Sequence, residues 1–314
     1  MNDQNQNIQE SYIGTGFRAT VAEALSISGK GLHSGETVTL KMFPAAAGTG
    51  LVFLPVKGNT GKIPVSPFYV TDTRQAVTIG NRDWEIRTVE HLLAALAAAG
   101  VTDAYLEVDA PEIPIMDGSS QPFYDALMAT GVQQLDEVLE PIRLTTPIWV
   151  VDGDRYLVAL PHENTRVTYS IDFDHPALRG QTLVIDLDRE KFVSEISSAR
   201  TFGFYRDLEA MQAKGLARGA SAENAVVLTD DGFMNERRYE NECVRHKVLD
   251  LIGDLYLIGR PIQAHIIAHR AGHTLDVALA KQILTRAAMD ELASRKTRVT
   301  ETSRPALELG VRPR

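Results

Sequence analysis

The chain has 314 residues, 44% of them hydrophobic, and its 32 basic against 41 acidic side chains leave a formal net charge of -9. That length exceeds one ordinary small domain and suits two of roughly 130–150 residues, each able to bury a core. The acidic balance argues against a general nucleic-acid surface, which needs clustered Lys and Arg, and a single cysteine, Cys243, excludes an intrachain disulfide and a Cys-rich metal site.

Residues Met1 to Glu10 are polar and lack the basic start and apolar stretch of a signal peptide. Residues 1–17 read as a flexible N-terminal arm. No run approaches the roughly 18 apolar residues of a membrane span, and the reading is a cytoplasmic protein. Strand-like alternation follows at Val38–Met42, Gly50–Leu54 and Ala76–Ile79, punctuated by Gly and Pro. A helix is expected over Thr88–Ala99, closed by Gly100, then a strand at Ala104–Val108. The segment Ala110–Ser120 reads as an ordered loop, and a helix starts near Gln121. Acidic, Pro141-containing Leu135–Thr146 is the expected linker. Beyond it come strands at Ile148–Val151, Tyr156–Leu160 and Val167–Asp172, and a long helix over Glu240–Ile258. Gly259-Arg260-Pro261 breaks that helix before a strand at Ile262–Ala268. A last helix covers Leu275–Ser294, and 295–314 read as a disordered basic tail. Both halves place a Gly-terminated helix before a strand, at Thr88–Val108 and Arg245–Ala268. This echo points to an α+β fold of two similar units, 18–140 and 141–294, with a ligand site between them.

Two helices carry polar residues that their core stripes do not explain. In the first, Val89, Leu92, Leu93 and Leu96 recur at helical spacing. At about 100° per residue, His91 points roughly 150° from the centre of that stripe and Glu90 about 110°. Ala94, Ala95 and Ala98 surround His91 and are small enough to admit a close neighbour. In the second, Val244, Val248, Leu251, Ile252 and Leu255 mark the buried side, and His246, Asp250, Gly253 and Asp254 gather opposite. His246 and Asp250 project side by side, with Gly253 leaving room beside them. Two imidazoles and a carboxylate suit a tetrahedral zinc whose fourth position is open to water. An i,i+4 His/Asp pair is more often a solvated surface pair, so spacing alone leaves both readings open. His33, His162, His175, His265 and His269 stand alone as ordinary polar positions, and no HExxH motif is present.

These residues lie within longer strings: Ser28-Gly29-Lys30-Gly31-Leu32-His33-Ser34-Gly35, Thr88-Val89-Glu90-His91-Leu92, and Ala110-Pro111-Glu112-Ile113-Pro114-Ile115-Met116-Asp117-Gly118-Ser119. Further along stand Ser198-Ala199-Arg200-Thr201-Phe202-Gly203, Val244-Arg245-His246-Lys247 with Asp250 and Gly253-Asp254, and Gly272-His273. From about residue 18 to 290 the chain thereby resembles the UDP-3-O-acyl-N-acetylglucosamine deacetylase family, whose order of motifs it keeps. The resemblance implies two domains, each a small β-sheet packed on helices, sandwiching the active site. It implies zinc-dependent hydrolysis of the N-acetyl group of UDP-3-O-acyl-N-acetylglucosamine, releasing acetate, the committed step of lipid A biosynthesis in Gram-negative bacteria.

By the same resemblance His91, His246 and Asp250 are ligands of one catalytic Zn2+, and Glu90 is the general base for its water. His273 is the cationic partner that protonates the leaving amine, Asp254 orients it, Thr201 donates to the oxyanion, and Lys247 supplies a fixed charge. Asp172, Phe173, Arg155 and Arg270 are the expected nucleotide contacts, with Phe202 as a further substrate contact. Leu208, Ala217, Ala222, Ala225 and Val227, in the insert 208–227, are the expected wall of an acyl-chain passage, an ordinary packed helix and strand being the alternative for each. Asp276 departs from the pattern: the family is associated with Asn there, and the change adds a negative charge near His273. Cys243 has no family role and is expected to be buried.

Two other readings stay open: a zinc amidohydrolase for another acylated sugar nucleotide, or a non-catalytic nucleotide- or lipid-binding module. Glu90, Thr201 and His273 together speak against the module, since binding alone needs no such set. The expected partner is the substrate, with no nucleic acid, no membrane span and a monomeric chain. The ligand set suits zinc or ferrous iron.

Overall fold

In the computed structural model residues 16–55 and 60–302 are described, with 294–302 described by their backbone alone. Residues 1–15 of the expected arm and 303–314 of the expected tail lie outside the described residues. The longer helices are α1 (Glu90–Ala99), α2 (Gln121–Thr130), α3 (Tyr205–Ala213), α4 (Glu242–Tyr256) and α5 (His273–Thr302).

Alternation builds the sheets. In Thr37–Pro44 the side chains of Val38, Leu40 and Met42 are buried while Thr37 and Lys41 face water, the period-two pattern of a half-buried strand. This strand pairs antiparallel with Leu25–Lys30 and with Ala104–Val108, and the latter runs parallel to Leu51–Leu54, itself antiparallel to Ile63–Pro64. The second half repeats the scheme. Ile148–Asp152 and Arg155–Pro161 form a hairpin, Ile262–His269 lies antiparallel to the second of these and parallel to Arg166–Ile171, and Gln181–Asp186 closes the sheet antiparallel. In both sheets the central strand is the last in the chain, follows a helix across a turn that holds a left-handed glycine (Gly100, Gly259), and precedes another helix. The faint echo in the sequence is therefore a repeated topology.

Helix α1 is poly-Ala in character and forms readily. Gly100, at φ 77°, ends it by turning its N–H back onto the carbonyls of Leu96 and Ala97. All ten residues of α1 are buried, the signature of a helix packed on every side. Leu92, Leu93 and Leu96 fill its core side, each contributing about 1.5–3 kcal/mol. Its alanine side, with Glu90 and His91, meets α4. The polar face expected on α4 is likewise buried: His246, Asp250, Gly253 and Asp254 all lie in the interior, although the same helix also buries Val244, Val248 and Leu251.

Gly253 has a different role from the one its spacing suggested. A Cβ built there would stand 2.0 Å from the Glu90 carbonyl oxygen and 2.7 Å from the carbonyl carbon. The space beside the polar residues is filled by the backbone of α1, and the glycine is what lets the two helices touch.

Four other expectations are corrected. Thr88 does not begin α1, because its φ of 61° is left-handed. The expected linker is largely paired: Val132–Val138 runs antiparallel to Phe17–Val21, and Ile142–Arg143 joins the second sheet beside Ile262 and Gln263. Residue 17 of the expected arm belongs to that first strand. The last helix extends to Thr302 rather than Ser294, so the first part of the expected tail is helical.

The insert forms its own small unit. Phe202–Phe204 and Val226–Leu228 pair in parallel around α3, none of whose residues is buried. His33, which the sequence marks only as an ordinary polar residue, ties this unit to the first half. It is 3% exposed, its Nδ1 accepts from the Ala217 N–H, and its carbonyl accepts from Arg218 N–H. Burial and then Arg87 push its pKa down to about 4, which keeps the imidazole neutral and the Nδ1 lone pair available. Glu112 holds the same turn by accepting from the backbone of His33 and Ser34, both at 2.8 Å.

Replacement of Gly253 by Ala forces backbone apart rather than a flexible side chain. Gly253→Ala is expected to lower unfolding stability by about 1–3 kcal/mol or more. Gly232→Ala, whose Cβ meets nothing nearer than 3.9 Å, is expected to leave it unchanged; denaturant titration of both variants is the check.

Candidate active site

The N-terminus of α1 and the middle of α4 bring three expected ligands together. His91 Nε2 lies 3.6 Å from Asp250 Oδ1, and His246 Nε2 lies 3.1 Å from the same oxygen. The two imidazoles meet edge to face with ring centroids 4.9 Å apart. One donor atom from each of the three residues falls within 4.8 Å of the others, and all three are buried.

Hydrogen bonding at the rim of this cluster decides what it can hold. His246 Nδ1 is 3.0 Å from the Ala199 carbonyl, an acceptor only, so Nδ1 carries the proton and the Nε2 lone pair faces inward. Asp250 Oδ2 accepts from Lys247 Nζ at 2.7 Å, whereas Oδ1 is buried without a hydrogen-bond partner. A lone pair on nitrogen and a bare carboxylate oxygen would repel each other in a dry pocket. A divalent cation among these donors removes that conflict, and two imidazoles with a carboxylate fit it. Burial would raise Asp250, but His246 when doubly protonated, and the Lys247 ammonium, hold it well below the ordinary carboxylate range.

The Ala199 carbonyl is itself positioned by a device that the sequence did not flag. Glu242, at the start of α4, is fully buried and accepts from Arg200 at its backbone N–H (3.0 Å), Nε (2.9 Å) and Nη2 (3.2 Å), and from the Arg238 N–H (2.6 Å). Although burial would raise Glu242, these bonds hold it below its ordinary value. Residues 199–201 are thereby fastened to the helix that carries His246, and Thr201 N–H donates to the Gly118 carbonyl at 2.8 Å.

Beside the three donors, Glu90 faces His273. Glu90 Oε2 accepts from the Val77 N–H at 3.1 Å, and Oε1 lies 4.0 Å from His273 Nε2. Burial raises the Glu90 pKa, opposed by His273 and His91. The other nitrogen of His273, Nδ1, lies 2.7 Å from Asp254 Oδ2. One face of His273 is thus fixed by a carboxylate and the other aims at Glu90. Lys247 is less free than expected: although burial would lower its pKa, Asp250, Tyr169 and Asp276 hold it above the ordinary value, and its ammonium is committed to Asp250.

A cavity of about 960 Å³ opens from this cluster between the two halves. Thr201, His246, Lys247, Asp250 and His273 line its inner end, and Leu32, His33, Thr73 and Gln75 enter it from the first half. All the expected substrate contacts face it: Asp172, Phe173, Arg155, Arg270 and Phe202, then Leu208, Ala217, Ala222, Ala225 and Val227 of the insert. Phe202 lies edge-on to His246 and to Phe173, at centroid distances of 6.3 and 5.6 Å. Arg270 pairs with Asp154 at 2.8 Å and reaches Asp172 at 3.8 Å, and Arg155 pairs with Asp152. Met211, Met234 and Tyr205 also line the cavity; no motif or periodicity distinguished them. His265 has a structural bond, 2.9 Å from Thr168 Oγ1. Cys243 is buried, and burial pushes its thiol up to about 12, so it is inert at neutral pH.

A profile of the UDP-3-O-acyl N-acetylglycosamine deacetylase family matches residues 18–285. A protein of Leptospira biflexa serovar Patoc named UDP-3-O-acyl-N-acetylglucosamine deacetylase is 52% identical over 284 residues, covering 90% of this chain and 94% of its own length. Proteins of the same name from Acidithiobacillus ferrooxidans and Myxococcus xanthus are 43% and 40% identical, covering 82% and 90% of this chain and 87% and 91% of their own lengths.

The donor geometry gives a direct expectation for metal binding. Metal-stripped protein is expected to take up one zinc ion per chain. His91→Ala and Asp250→Ala should each weaken uptake by more than the about 10–100-fold typical of losing an outer-shell partner, while Glu90→Gln should bind normally. Equilibrium dialysis with metal analysis reads all three.

Proposed function

The chain belongs to the UDP-3-O-acyl N-acetylglycosamine deacetylase family, and from that membership we propose that it hydrolyses the N-acetyl group of UDP-3-O-acyl-N-acetylglucosamine, with His91, His246 and Asp250 as ligands of a catalytic zinc. The observation that carries this reading is the pairing of Glu90 Oε1 with His273 Nε2 at 4.0 Å beside those three donors. An amide hydrolase needs a base for water and an acid for the leaving amine close to one carbonyl.

A divalent ion bound there supplies Lewis acidity, polarising the amide carbonyl and making water a better acid. Glu90 accepts the water proton; its burial keeps it basic enough to do so, and the bond from Val77 N–H leaves Oε1 free. The new C–O bond forms as the carbonyl π electrons move to oxygen, where the Thr201 hydroxyl donates a hydrogen bond. Collapse breaks the C–N bond, His273 Nε2 gives its proton to the departing amine, and acetate remains. Asp254, through its 2.7 Å contact, orients His273 for that transfer.

The rest of the cavity suits the remainder of the substrate. Arg155 and Arg270 are the cations for the diphosphate, and Phe173 offers an edge or face to the uracil. Leu208, Ala217, Ala222, Ala225 and Val227 form the wall for the fatty chain. Alanine at three of these positions leaves width for a chain of methylenes, and each buried methylene contributes about 0.8 kcal/mol. Among the described residues no helix is long and apolar enough to cross a membrane. We read the protein as a monomer of the cytoplasm with domains over 18–140 and 141–294.

Glu90→Gln should lower kcat for acetate release by about 10²–10⁴-fold with zinc content unchanged. UDP-N-acetylglucosamine without the 3-O-acyl chain should be turned over far more slowly by the native enzyme. Equal turnover of the two sugars would point to a different substrate for the same centre.

A further inference from the structure

Asp276 stands in the first turn of α5, one turn after His273, and is fully buried. Asp254, from α4, is fully buried as well. One donor atom from each of Asp254, His273 and Asp276 lies within 4.8 Å of the others. Asp254 Oδ2 takes the 2.7 Å contact with His273 Nδ1, but Asp254 Oδ1 and both oxygens of Asp276 have no hydrogen-bond partner.

Two ionised carboxylates this close, both out of water, repel strongly, and one keeps a proton. The surroundings say which. Facing Asp276 are Lys247, Asp250 and Asp254 from α4, His273 from its own helix, and Tyr169 from the strand Arg166–Ile171. Lys247 is committed to Asp250 Oδ2, and the first turn of a helix favours an anion by only about 0.3–1 kcal/mol. Burial, then Asp254, push Asp276 up to about 8 against Lys247 and His273. Burial and Asp250 also raise Asp254, yet Asp254 alone has an imidazole N–H at 2.7 Å, a contact that favours its charged form.

We propose that Asp276 is a positioning residue for His273: it stands as a neutral carboxylic acid whose hydroxyl donates to Asp254 Oδ1, the two side chains sharing one proton and one negative charge. The donated bond fixes the rotation of the Asp254 carboxylate, so that Oδ2 holds His273 with Nε2 directed at Glu90. It also satisfies a buried oxygen that would otherwise cost stability. A protonated carboxyl where an amide is associated with the family therefore keeps a hydrogen-bond donor and adds no second charge. The mechanistic part of this inference rests on the reading of His273 as the proton donor.

The test uses zinc-loaded full-length protein and the variants Asp276→Asn and Asp276→Leu. Infrared difference spectra of native protein minus Asp276→Asn at neutral pH should show a protonated-carboxyl C=O band that shifts in D2O. Asp276→Asn, which keeps a donor, should retain kcat within about threefold, and Asp276→Leu should lose about 10–100-fold in kcat with KM unchanged. Absence of the infrared band, or undiminished kcat in Asp276→Leu, overturns the proposal. The infrared reading needs no substrate. A native enzyme that shows the band but releases no acetate therefore defeats the proposed reaction and the positioning role, while the shared proton stands.

Discussion

The contact of α1 with α4 governs the rest of this structure. With Gly253 under the Glu90 carbonyl, the helices approach closely enough for His91 to reach the one-turn pair His246/Asp250. Gly253 permits that approach, and the repeated topology supplies it by delivering the two helices to a common interface. The polar residues on that interface are expensive to bury. They are tolerated because most are tied: His246 to Ala199, Asp250 to Lys247, Glu90 to Val77, and His273 to Asp254. The Asp250 oxygen that remains bare marks where positive charge belongs.

A second layer of bonds holds the first in place. The buried Arg200–Glu242 pair fixes the segment that orients His246, and this arrangement places a structural ion pair one step from the donors. Breaking such a buried pair by removing one partner is costly, and the cost here would be felt in the tautomer and aim of an imidazole. The His33 and Glu112 turn does the same for the insert, so the cavity wall made by the second half is fastened to backbone of the first.

Much of this was legible in the sequence, and the parts that were not share a cause. Val38, Leu40 and Met42, or Val167 and Tyr169, alternate cleanly because one face of each sheet is buried, so the strands marked that way came out within a residue or two, while Leu25–Lys30 and Gln181–Asp186, each with a single buried side chain, went unmarked. The faces of α1 and α4 that hold His91, His246 and Asp250 were separable from the Leu and Val stripes by angle. Periodicity could not tell whether those faces met water or each other, since a polar residue at the interface of two helices looks like one on a surface. Gly253 was misread for that reason: spacing shows that a side chain is missing but not what fills the gap. His33, Arg200 and Glu242 act through backbone groups far away in the chain, which no local pattern records. Leu135–Thr146 resembled a linker by its acidic and Pro content, yet edge strands are polar on both sides and carry the same composition.

The proposed centre holds one divalent ion through two imidazole nitrogens and one carboxylate oxygen at the α1–α4 contact. X-ray absorption at the zinc edge, combined with anomalous diffraction from crystals of the zinc-loaded protein, measures this most directly. A single anomalous peak is expected between His91, His246 and Asp250, with light donors around the ion at about 2.0–2.2 Å. A peak at Asp254, His273 and Asp276 instead, a sulfur neighbour, or zinc bound away from the α1–α4 contact would contradict it.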